Sequence, residues 1–120
     1  MYRMRMFRNP RGEQPLESYL AGLEPKHRRK IATHLELLAQ EGPNLRRPYA
    51  DVLSGPIREL RVSLGRLEHR ILYYFAGKDA VVLLHAFLKK TEAVPQSEIT
   101  VAEERMKALD KRLKAGEAIE

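Results

Sequence analysis

Cysteine is absent from this chain, and no apolar run approaches the roughly 18 residues a membrane-crossing helix needs. Without cysteine there is neither a disulfide framework nor a thiolate metal site, a usage compatible with a reducing cytoplasm. The opening residues, MYRMRMFR, alternate in character instead of forming an apolar block, so no secretory signal is expected. Carboxylates do not gather around the histidines at ligand spacing. His27 and His34 stand seven apart beside Arg28, Arg29 and Lys30, and they read as solvated helix residues, not as a metal pair. Together these absences point to a soluble cytoplasmic protein with no metal or cofactor and no membrane partner.

What is present is the composition of a folded domain. The 120 residues are 43% hydrophobic and 32% charged, enough apolar surface to escape disorder and enough length for one modest core. Residues 1–114 read as a single domain and 115–120 as a frayed tail. The net charge of +6 is unevenly distributed. Residues 57–90 hold seven Lys/Arg against three Asp/Glu, whereas residues 91–120 hold five against seven. The body of the chain would therefore attract a polyanion, while its C-terminal part is mildly acidic.

Periodicity gives the order of elements. Tyr2, Met4 and Met6 alternate with Arg3 and Arg5, the signature of a strand with one buried face. NPRGEQP breaks the chain, and Pro15 opens a short helix presenting Leu16, Tyr19, Leu20 and Leu23. Pro25 opens a second helix, which Gly42-Pro43 stops. Residues 44–56 read as a surface loop. Strands are predicted near 57–63, 68–76 and 80–88, joined by turns short enough to make an antiparallel meander. Thr100 to Glu103 fits a capping box for a final helix, with Ser97 as a competing cap and Ile99, Ala102, Met106, Leu109 and Leu113 as its apolar stripe. The expectation is an α+β domain, β-α-α-β-β-β-α. Its mainly antiparallel sheet has four strands, with two N-terminal helices packed on it and a C-terminal helix.

The three central strands carry isolated cations among their apolar residues. Arg61, Arg70 and His85 fall inside them, and Lys89-Lys90 follow at once. A buried cation needs a partner or access to water, so one shared cationic patch is the economical arrangement. The plain alternative pairs each arginine with a strand acid such as Glu59. By strand parity His85, Phe87 and Lys89 share one face, with Val82, Leu84, Ala86 and Leu88 on the other. Leu60 and Val62 oppose Glu59 and Arg61. The strand of Arg70 is apolar on both faces, which suggests helices on one face and partial cover by the last helix on the other, leaving a small open groove.

With ELR at 59–61, HRILYYF at 69–75 and LLHAFLKKTEAVPQSEI at 83–99, the chain resembles the RelE/ParE superfamily of type II toxin–antitoxin toxins, in particular its HigB-like, phage-derived branch. The resemblance spans about residues 1–110. It implies a RelE-like fold, a cognate antitoxin of helix-turn-helix, HigA-like type, and action on messenger RNA at the ribosome. RelE- and HigB-type members are implied to be metal-independent endoribonucleases that inhibit translation, and ParE-type members to inhibit DNA gyrase without nuclease chemistry. A non-catalytic nucleic-acid-binding relative is a third possibility.

RNA cleavage through its own 2′-hydroxyl needs a proton acceptor, stabilisation of a dianionic phosphorane and an acid for the 5′-oxygen. Arg61 and Arg70 suit bidentate phosphate contact, His85 is of the residue type suited to proton transfer at neutral pH, and Lys90 leaves the strand where a phosphate can approach. These four are the catalytic candidates. Lys89, Arg58, Arg66, Phe87 and Tyr74 are candidates for RNA or ribosome contact. Some RelE relatives use a C-terminal tyrosine as base or stacking platform. This chain has no tyrosine after Tyr74, so His85 or a lysine would take that role.

Overall fold

The computed structural model describes residues 1–117, and its strands assemble into one mixed five-stranded sheet. In chain order the elements are β1 (Arg3–Met6), α1 (Pro15–Ala21), α2 (Pro25–Glu41), a short 3-10 turn (Gly42–Asn44), β2 (Ala50–Ser54), β3 (Ile57–Leu64), β4 (Leu67–Ala76), β5 (Ala80–Leu88) and α3 (Gln96–Lys114). Spatial order is β1-β5-β4-β3-β2. β1 runs parallel to β5, and every other pairing is antiparallel. The α+β class and the meander agree with the sequence. The four-stranded count does not. β2 forms inside the expected loop, because Ala50 buries its methyl and Asp51 sits opposite Glu59, pairing a short stretch with the edge of β3. Of the tail expected from residue 115, Ala115 to Glu117 are hydrogen-bonded back onto the last turn of α3, and the rest lies outside the described residues.

Two apolar layers sandwich the sheet. On one face α1 and α2 bury Leu16, Ile31 and Leu38 against Leu60, Ile71, Tyr73 and Leu83. On the other, α3 seats Ala102 against Leu72, Tyr74, Leu84 and Phe87. The double apolar character of β4 follows from this double cover. α3 starts earlier than the capping pattern implied. Pro95 sits at the N-cap in extended geometry without a side-chain cap, and its carbonyl accepts from Glu98 and Ile99. Thr100 and Glu103 thus lie inside the helix. The register of β5 also departs from simple alternation: between Leu72↔His85 and Tyr73↔Leu83 one extra residue intervenes. This bulge puts Leu84 and His85 on the same side, beneath α3, and turns Ala86 toward the other layer.

Beneath α1 and α2 lies a polar chain that the sequence concealed. His69 is fully buried, and its Nδ1 lies 2.7 Å from the Tyr19 hydroxyl. His69 Nε2 lies 3.0 Å from Nδ1 of His27, which is buried too, in contrast to the solvated placement expected of it. Burial pushes the Tyr19 hydroxyl up to about 12, so it keeps its proton. The arrangement that satisfies every atom has Tyr19 donating to His69 Nδ1, and His69 donating from Nε2 to His27. His69 is then neutral. Burial, followed by the proximity of His27, holds His69 below its ordinary 6.5, against a smaller opposing effect of Glu68.

Two predictions follow from the packing. Because His69 is depressed in the folded state, the unfolded chain binds the extra proton as pH falls below 6.5. Stability is present above that value and drains away toward the depressed folded pKa, at a slope of up to about 1.4 kcal/mol per pH unit. Urea titrations from pH 7.5 to 5.0 should show this slope, and His69→Gln should flatten it. An unchanged slope in the variant rejects the assignment. Separately, Gly42 ends α2 at φ +56, where an added Cβ would overlap the Tyr2 ring. Gly42→Ala should cost about 1–3 kcal/mol in thermal or urea unfolding, and a neutral effect would show that Tyr2 is free to move.

Candidate functional site

Antiparallel pairing arranges the predicted cations on a grid. Arg61 of β3 faces Arg70 of β4, which faces Phe87 of β5. One row away, Glu59 faces Leu72, which faces His85, and Asp51 of β2 faces Glu59. All of these point to the face that carries α3. A helix about 10 Å wide cannot cover five strands spaced about 4.8 Å apart. α3 lies mainly over β5 and β4, reaches β2 where Ser54 donates to Glu103, and leaves the rest of β3 and β2 less covered on one flank. The result is a cleft of about 400 Å³ lined by Arg61, Arg70, Lys89, Glu59, Asp51 and the chain from Glu92 to Val94.

Like charges directly opposite on neighbouring strands repel. Here carboxylates interleave them. Glu59, with a side chain only 5% exposed, accepts from Arg61 Nε at 2.8 Å and stands 4.0 Å from Arg70 Nε. Arg70 Nη1 reaches Glu68 at 3.4 Å. Arg61 also approaches Asp51 at 3.5 Å, and Asp51 takes Arg47 at 2.7 Å. The hydrogen bond from Arg47, ahead of the backbone and charge contributions, holds the Asp51 carboxyl below its usual range. Ser63 first, and then Arg70, do the same for Glu68. One mismatch remains in this network. Glu59 Oε2 and Arg70 Nε are both buried without a hydrogen-bond partner among the described residues. They face each other beyond hydrogen-bonding distance, at the centre of the cluster.

The other candidates divide. Lys89 lines the cleft, and its backbone N–H donates to Glu68 across the strand end. Lys90 follows it, exposed. Arg66 is exposed in the β3–β4 turn at that same end of the sheet. His85 shares the face but lies under α3. Its Nε2 is 2.9 Å from Glu98 Oε1, and its Nδ1 is 3.3 Å from Arg105 Nη1. An arginine only donates, so His85 accepts at Nδ1 and donates from Nε2 to Glu98. Both ring nitrogens are occupied by α3. Phe87 is buried, with its ring stacked on His85 at 5.5 Å.

Two contact candidates stand away from the cleft. Arg58 is on the opposite face, beneath the N-terminal helices, with its guanidinium over Phe75 and Nη1 donating to Pro43. The reason is parity: Arg58 is one residue from Glu59 and pairs with Tyr73 of the other layer. Tyr74 is buried beneath α3 and donates to Asp110 at 3.1 Å, leaving its ring no open surface for a base. Burial and Asp110 raise its hydroxyl far above the usual tyrosine range.

Glu59 is the site residue that sequence reasoning undervalued, treating it only as a possible partner for Arg61. Its signal was an acid two residues from both Ile57 and Arg61, on the same strand face as the cation. No three His, Asp or Glu side chains stand together in a metal-holding group among the described residues.

A family model described as phage derived protein Gp49-like (DUF891) matches residues 18–107, which run from within α1 through α2 and the cleft into α3. No curated protein matches the chain.

If Glu59 neutralises the opposed arginines, Glu59→Gln should lower unfolding stability by about 1–3 kcal/mol, since it keeps shape but leaves cations uncompensated. The loss should shrink at high salt. A salt-independent loss, or none, would show that Glu59 fills space without balancing charge.

Proposed function

This chain belongs to the Gp49-like family of phage-derived proteins, and on that basis we propose that it is the toxin of a type II toxin–antitoxin pair, a HigB-like member of the RelE group that cleaves messenger RNA on the ribosome. One observation carries the reading: Arg61 of β3, Arg70 of β4 and Lys89, just past the end of β5, line a single cleft around a buried carboxylate. The family match supports the toxin half of the proposal, and the cleft chemistry supports the nuclease half.

In this mechanism the scissile phosphate enters between Arg61 and Arg70, where the guanidinium forks match two phosphate oxygens and neutralise the charge that grows in the phosphorane. Lys89 and the exposed Lys90 stand at the strand end to meet the same phosphate or the departing 5′-oxygen. Glu59 is the carboxylate that stands beside both guanidiniums, and its unpartnered Oε2 takes the 2′-hydroxyl proton once the arginine layer shifts and uncovers it. His85, held at both nitrogens, positions α3 and Phe87 beside the cleft until the Glu98 contact opens.

The carboxylates explain why a ribosome belongs in the scheme. Free RNA must compete with Asp51, Glu59 and Glu68 for cations that are already partnered. A surface that places one phosphate in the cleft supplies the missing effective concentration. A cognate antitoxin, of helix-turn-helix HigA-like type, keeps the protein silent in the cell. The same internal pairing favours a second reading, in which the cleft is a gyrase-binding surface of ParE type and no bond is cut.

Expression in a growing culture separates the two. Nuclease action gives new 5′ ends within translated messages, in frame with codons, while gyrase inhibition gives broken DNA and filaments with intact message. Arg61→Ala and Arg70→Ala should each lower cleavage by about 10²–10³ and relieve growth arrest while the fold persists. Undiminished killing by both folded variants rejects the site, and intact message during arrest rejects the chemistry.

A further inference from the structure

α3 leaves a second flank uncovered, on the β1 side of the sheet. A groove of about 890 Å³ runs there between β1, the 7–14 connection and the last turns of α3. Its floor is apolar, from Phe7, Val82 and Leu109, and its walls carry Arg5, Arg8 and Arg112 against one lining carboxylate, Glu117. Arg5 shares a register position with Val82, so it points to the α3 side like the cleft arginines. The Arg112 guanidinium lies over the Phe7 ring at 5.3 Å and donates through Nη1 to the Arg8 carbonyl at 2.9 Å. Its Nε stands 3.9 Å from Glu117, whose side chain is 61% exposed, too loose and too wet a pairing to neutralise it. Nε of Arg5 and Nε of Arg112 are both buried with no hydrogen-bond partner among the described residues. Buried donors left unpaired are costly, and both belong to side chains that line this one cationic groove.

We infer that this groove holds the phosphodiester backbone of a single RNA strand, gripped by Arg5, Arg8 and Arg112, with a ribose or base against Phe7, Val82 and Leu109. The inference rests on the RNA-binding part of the proposed function but not on cleavage. The volume greatly exceeds a lone phosphate and falls within the range of sites that hold ligands with an apolar part. Guanidinium forks suit successive phosphates, and the charge surplus of residues 1–90 suits a polyanion. An acidic peptide fits less well. The natural peptide mode at a sheet edge is strand addition, and the register of β1 turns the backbone of Met4 and Met6 outward. The Met4 carbonyl is already occupied by Arg5 Nη1 at 2.9 Å, which blunts that edge. The strand in the groove and the strand in the cleft lie on opposite sides of α3. The helix is then a divider between an anchoring contact and a reacting one.

Arginine Nε–Hε resonances in ¹⁵N-labelled full-length protein provide the test, with a 2′-O-methyl RNA hexamer that cannot be cleaved. The hexamer should shift the Arg5 and Arg112 signals and bind with a salt slope that falls by about 1.4 in Arg5→Gln/Arg112→Gln, at about 0.7 per lost phosphate contact. Affinity should fall about tenfold in that variant and severalfold in the exposed-site variant Arg8→Gln, which has no packing role to confuse the result. Arg61→Gln should leave the Arg5 and Arg112 shifts intact. If the hexamer shifts only Arg61 and Arg70, the groove assignment fails while the cleft stands. An equal response of Arg5 and Arg112 to inorganic phosphate or to a polyglutamate peptide also overturns it. Failure of the cleft reading is seen elsewhere, in unrelieved toxicity of the Arg61 variant.

Discussion

Arg61 and Arg70 face each other across two neighbouring strands, and the interior acid Glu59 holds the pair together. Everything distinctive about the cleft depends on that arrangement. Opposed guanidiniums on adjacent strands raise the energy of the sheet, and a carboxylate 5% exposed beside them lowers it again. The compensation is incomplete, since one oxygen and one nitrogen at the centre lack partners. A network that is nearly but not fully satisfied is stable enough to fold and leaves one guanidinium donor, Arg70 Nε, without a partner among the described residues. The proposed phosphate site rests on that incomplete compensation.

Width sets the rest of the design. A single helix lies along the middle of a five-stranded sheet, so the sheet face is divided into two strips. His85 falls under the helix because a bulge in β5 turns it there, and Glu98 and Arg105 of α3 take both its nitrogens. The imidazole therefore couples the position of α3 to the edge of the cleft through the stacked Phe87 ring. On the far strip, Arg5, Arg8 and Arg112 gather from the two ends of the chain, which only the parallel pairing of β1 with β5 brings together.

Much of the architecture was legible beforehand. Pro15 and Pro25 began their helices, Gly65 and Gly77 turned their hairpins at positive φ, and the alternation of Tyr2, Met4 and Met6 marked β1. The apolar character of β4 on both faces correctly implied cover on both. The misses have definite causes. β2 has weak alternation and is a strand only because the edge of β3 pairs with it. The capping pattern at Thr100 was outcompeted by Pro95, whose carbonyl already served the first turn of α3. His27 carries its neighbours' charge in sequence, yet it faces inward because His69 waits beneath it.

For the site, sequence order placed Arg61, Arg70 and Lys89 on one open strip of sheet, since strand parity and short turns allow few other arrangements. It also fixed a chain whose cationic surplus lies before residue 91. Tertiary structure alone decided that Glu59 would sit among those cations, that Arg58 and Tyr74 would be turned away from them, and that His85 would be shared with α3. Parity is a local, period-two property that a chain carries with it. A bulge, the path of a helix over a sheet and the sharing of a buried charge depend on partners far apart in sequence, and become definite only when the layers close.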